Sequence, residues 1–192
     1  MRKRLALLAA VALVALLVYQ LMKRPFPSDQ TPEGAYLRIA LAISEDRLET
    51  AFPYLETEAQ WACFTLRDAR KKALERVTAS YPEPQKSELA AAYGPDARAA
   101  GGEAVFVRIA KERGWIARLR RDLSGVARVE VEGERASVVT ARGTRYPFRR
   151  RDNGIWGLTT FTADLEAEAQ KASRDLAMVN AAADDYERAK NR

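Results

Sequence analysis

Residues Leu5 to Met22 form an apolar run without a charged side chain, and Gln20 is its only strongly polar member. As a helix this run extends about 27 Å, close to the thickness of a bilayer's hydrocarbon core. The flanks agree with that reading. Arg2, Lys3 and Arg4 precede the run, Lys23 and Arg24 follow it, and Tyr19 stands where an interfacial aromatic belongs. A cleaved signal peptide would have a shorter apolar region and a small-x-small cleavage site, whereas Lys23-Arg24-Pro25-Phe26-Pro27 follows here. No cysteine stands directly after the run, which excludes lipoprotein processing at a cysteine. Residues 1–24 are therefore expected to be a retained single-pass membrane anchor. The small excess of basic residues on the N-terminal side favours an inside N-terminus, with residues 25–192 outside the cytoplasm. The Ala- and Arg-rich composition resembles that of bacterial chains, which implies the inner membrane and a periplasmic domain.

The same basic flanks account for five of the net six positive charges. The rest of the chain is almost neutral, so no nucleic-acid partner is expected. Histidine is absent, which removes the commonest general base and metal ligand. The single cysteine, Cys63, has no disulfide partner and sits in the apolar stretch Trp61-Ala62-Cys63-Phe64. It reads as a small buried hydrophobe.

Past the anchor, residues 25–32 hold three prolines and form a stiff linker. Thr31 is placed to cap a helix with Pro32 at its first position. Helical spacing then predicts helices over Pro32 to Ile43, Glu45 to Leu55 with Ser44 as cap, Glu58 to Ser80, Gln85 to Tyr93, and Glu103 to Leu123 with an interruption at Gly114. In the third of these, Trp61 reads as part of the apolar side and Arg70 as part of the solvated side. Loops are predicted at Gly94-Pro95 and Gly101-Gly102. The period then shortens to two. Val126 to Val131, Arg135 to Ala141, a stretch through Thr144, Tyr146 and Phe148, and Ile155 to Phe161 read as four antiparallel strands, the last pair joined by a turn at Asp152-Asn153-Gly154.

The opening Thr31-Pro32-Glu33-Gly34-Ala35-Tyr36-Leu37 with Glu45 to Phe52 is one stretch of note. Val129 to Val139, Gly143 to Phe148 and Gly154-Ile155-Trp156-Gly157-Leu158 make the other. Together they resemble the nuclear transport factor 2-like (cystatin-like or SnoaL-like) superfamily, and small bacterial envelope proteins within it. The resemblance covers residues 31–161 and implies an α+β fold with helices packed on a curved four-stranded antiparallel sheet, shaped as a cone. Enzymes of that superfamily use a carboxylate or a His-Asp pair inside the cone. No residue here matches such a set, so no catalytic, cofactor-binding or metal-binding residue is assigned and no cofactor is expected.

Several constellations still carry chemistry. Asp68, Tyr36 and Tyr54 are the residue types of an acid and oxyanion donors. Trp61, Phe106, Tyr146 and Trp156 are expected to line any cavity inside the cone. Arg145, Arg149, Arg150 and Arg151, and separately Arg118, Arg120 and Arg121, would suit an anionic lipid or polyanion. Finally Ala163 to Lys190 lacks Gly and Pro, and Leu165, Ala169, Ala172, Leu176, Val179, Ala183 and Tyr186 repeat at heptad spacing. That helix either folds back on its own domain or pairs with a second copy or another protein. The sequence thus predicts an anchor (1–24), a linker (25–32), an α+β domain (33–161) and a C-terminal helix (162–192). Its expected role is a non-catalytic binding or assembly module; a small-molecule pocket and an anionic-surface binder are the alternatives.

Overall fold

The computed structural model describes residues 26–191. The anchor expected over Leu5 to Met22 lies outside the described residues, and among those described no helix is long and apolar enough to cross a membrane. The fold is α+β. Helix α1 (Pro32–Ser44) leads into a 3-10 helix (Leu48–Tyr54), then α2 (Thr57–Ser80), α3 (Gln85–Ala97), α4 (Gly102–Glu112) and α5 (Trp115–Asp122). Strands β1 (Val126–Glu132), β2 (Arg135–Thr140), β3 (Arg145–Arg150) and β4 (Trp156–Leu158) follow, and α6 (Thr162–Lys190) ends the chain.

Local chemistry sets most boundaries. Thr31 caps α1 by accepting from the Gly34 N–H at 3.1 Å. Ser44 does not cap a second helix as expected. Its hydroxyl donates back to the Leu41 carbonyl, and Asp46 takes a φ of 56°, a left-handed conformation that Asp tolerates and a helix does not. The chain restarts as a 3-10 helix that carries Pro53. Gly94-Pro95 is not a loop: α3 runs through both residues to Ala97, with Pro95 forgoing one intrahelical hydrogen bond. Gly114, with a φ of 68°, separates α4 from α5.

The sheet is a meander in the order β1-β2-β3-β4, antiparallel throughout. One face, with Val129, Val138, Tyr146, Phe148, Trp156 and Leu158, packs towards α1 and the 3-10 helix. Val131 shares this face but is 58% exposed, because it lies at the free end of an edge strand. Strand β4 is shorter than Ile155 to Phe161. Residue 157 must be glycine, since a Cβ there would stand 2.7 Å from the Glu56 Cα, and this close approach lets Glu56 N–H bond the Leu158 carbonyl at 3.1 Å. Phe161 instead enters the core and stacks on Trp115 at 4.5 Å.

Helix α2 is the centre of the helical half, with α3, α4 and α6 packed around it. This explains two departures from the sequence pattern. Arg70 is buried, not solvated: it bonds Asp175 of α6 at 2.7 Å and lies over the Tyr93 ring of α3. Trp61 is 66% exposed, not part of the core. Cys63 is fully buried, and burial, then the Asp96 carboxylate, push its thiol up to about 12. The heptad seam of α6 turns inward: Leu165, Ala169, Ala172, Val179 and Ala183 are buried against the same chain. The helix therefore folds back on its own domain. Deleting residues 163–192 would strip α2 of its largest packing partner. The truncated chain is expected to lose the cooperative thermal transition that circular dichroism records for the full chain.

Candidate functional site: a groove on the open face of the sheet

Cross-strand register decides what the other sheet face presents. Glu132, Arg135, Arg149 and Gly157 share one row, Glu130, Ser137 and Pro147 the next, and Arg128, Val139 and Arg145 the third. Among the described residues no helix covers most of this face, and a groove of about 810 Å³ opens along it, lined by both charge signs, by Ser137, Thr159 and Pro147, and also by Val131 from the other face.

At one wall of the groove lies Glu56, only 4% exposed. It precedes α2, and its backbone is tied to β4 beside Gly157. The Thr162 hydroxyl donates to Oε2 at 2.7 Å. Oε1 lies 2.8 Å from Arg149 Nη1, an ion pair by distance, yet no N–H is aimed along it and the oxygen receives no directed hydrogen bond. The contact is therefore Coulombic, and this carboxylate oxygen is buried without a directed hydrogen bond among the described residues. Arg135 is the direct cross-strand neighbour of Arg149, and Arg149 faces two carboxylates, Glu56 at 2.8 Å and Glu58 at 3.7 Å. Arg135 is exposed and has no ion-pair partner among the described residues, so it is the member of this row open to an anionic ligand.

The residues singled out from the sequence are scattered. Asp68 is exposed and paired with Arg67 at 2.9 Å. The Tyr36 hydroxyl donates to the Ser124 carbonyl at 2.9 Å, while Tyr54 lies beside Arg38, so the three form no common site. The expected cavity lining does not assemble either. Phe106 packs between the Phe52 and Phe161 rings, Trp156 donates to the Gln30 carbonyl at 3.1 Å, Tyr146 is buried on the sheet, and Trp61 is outside. The arginine cluster is largely engaged: Arg145 pairs with Glu130 at 2.6 Å, Arg149 with Glu56, and Arg151 bonds the Pro53 carbonyl at 2.7 Å. Arg120 is held by Asp46. Sequence reasoning missed Glu56 because a lone Glu before a helix looks like an ordinary solvated first-turn acid; only the contact at Gly157 buries it.

No family model, no curated protein and no solved structure matches this chain.

Two expectations follow. Arg149→Ala leaves the Glu56 carboxylate buried without its cation and should cost about 2 kcal/mol in chemical denaturation, more than Glu56→Gln, which keeps the bond to Thr162. The Tyr146 hydroxyl is buried without a hydrogen-bond partner among the described residues, and burial, then neighbouring Tyr36 and Asp122, push its phenol up to about 12 against the favourable pull of Arg118. Tyr146→Phe should therefore stabilise the protein by about 1 kcal/mol at neutral pH. Because the folded phenol holds its proton more tightly than the unfolded one, the wild type loses stability as pH rises from about 10 to 12. The variant should show a shallower decline there in pH-dependent thermal melts.

Proposed function

We propose that this chain is a membrane-anchored, non-catalytic binding module whose recognition surface is the open face of the sheet. On this reading residues 5–22 hold it in a bacterial inner membrane, and the folded domain stands on the periplasmic side. The observation that carries the reading is the groove beside Glu56. It combines the exposed Arg135, which has no ion-pair partner among the described residues, with its neighbour Arg149 and the hydroxyl and apolar groups of Ser137 and Pro147. Such a lining suits an extended polypeptide segment that brings an acidic side chain to Arg135. Assignment to the nuclear transport factor 2-like superfamily is part of the same proposal, supported by helices that precede an antiparallel meander.

The test uses the full chain in native membranes with a photo-crosslinking amino acid at Ser137. Discrete adducts that Arg135→Glu abolishes are the expected result, together with resistance of the chain to alkaline extraction. Adducts unaffected by Arg135→Glu would remove the groove from the proposal, and extraction at high pH would remove the anchor.

A further inference from the structure

The surface of the α2–α6 pair carries a feature that the sheet groove does not explain. Trp61 projects from α2 with 66% of its surface exposed, at the edge of a second groove of about 550 Å³ between the two helices. The floor is small, with Ala62 and Ala169, and the rim holds Thr65, Gln170 and the charged pair Glu166 and Arg174. An exposed indole beside an apolar trough is costly to leave in water and is the residue type most often central to protein interfaces.

The charges identify the occupant. Helices α2 and α6 run side by side in the same direction, as the contacts Glu56–Thr162, Arg70–Asp175 and Arg76–Glu187 establish. Trp61 therefore lies near the level of Glu166, and Arg174 stands about 12 Å further along the same groove. The ion pairs of α6 use Asp164, Glu168, Asp175, Asp184, Glu187 and an internal Asp185–Arg188 pair, leaving Glu166, Lys171, Arg174 and Lys190 without partners among the described residues; of these, Glu166 and Arg174 line the groove. Acid at one end and base at the other, with Gln170 midway, is a self-complementary pattern. A two-fold axis at Gln170 places each Glu166 against the other copy's Arg174 and brings each Trp61 over the far half of the opposite groove, beside that same guanidinium.

We propose that a second copy of this chain docks antiparallel on this groove, forming a symmetric dimer through Trp61, Glu166, Gln170 and Arg174. This surface is the outer side of α6; the heptad seam, buried inside, takes no part. The proposal does not rest on the sheet groove, and Arg135→Glu should leave the dimer intact.

The measurement is the dimer dissociation constant of the full chain in detergent solution by sedimentation equilibrium. Trp61→Ala should weaken the dimer at least tenfold, as should Glu166→Arg or Arg174→Glu alone. The double variant Glu166→Arg with Arg174→Glu restores complementarity across the axis and should return to within about threefold of wild type. All these side chains are exposed, and far-ultraviolet circular dichroism checks that each variant folds. A wild type that stays monomeric would overturn the proposal. So would a dimer indifferent to Trp61→Ala, which would place association elsewhere, or a double variant no better than the singles.

Discussion

Everything in this fold hangs on the contact between α2 and α6. Two long helices lie side by side along seams built largely of alanine. Ala59, Ala69 and Ala73 on one and Ala169, Ala172 and Ala183 on the other are nearly or wholly buried. Small side chains bury little area each, so such a seam is stable only when many positions interlock and polar contacts close the ends. That is what Glu56–Thr162, Arg70–Asp175 and the arrangement of Arg76 with Asp184 and Glu187 accomplish. Arg70 and Asp175 are the costly members, because both are mostly withdrawn from water. The Tyr93 ring over the guanidinium and the bond between the two charges offset that desolvation.

The same contact positions the functional surface. Thr162 begins α6 and fixes one oxygen of Glu56, which precedes α2, while the Leu55–Leu158 bridge fastens that junction to the sheet. The groove itself exists because α1 covers only one face of the sheet. With the opposite face uncovered, rows of Arg and Glu neutralise one another across the strands and leave a concave strip between Glu130 and Arg149.

Most of the secondary structure was legible in the sequence, and the reasons are local. Thr31-Pro32 starts a helix through its own capping geometry, the alternation from Val126 onward can only pleat, and Asp152-Asn153-Gly154 turns the chain where Gly154 closes onto the Arg151 carbonyl. The misreadings have two causes. Ser44 was free to cap or to bond backwards, and Pro95 to break a helix or to sit in its last turn; both were decided by bonding within a few residues. Trp61 was free to face in or out, and neighbours distant in sequence decided it. The candidate site was almost wholly illegible, because neither the residues before α2 nor those of β4 reveal that Gly157 brings them together.

By itself the sequence determined the α+β class, the order of helices before strands, and a long terminal helix with one small-residue seam. These follow from periodicity, caps and turn residues, all interactions within a few positions. Tertiary structure alone decided that this seam turns inward, that Arg70 is buried while Trp61 is not, and that Glu56 faces a groove. Burial is a property of the whole surface, and periodicity marks which face of a helix is apolar without naming the neighbour that will cover it.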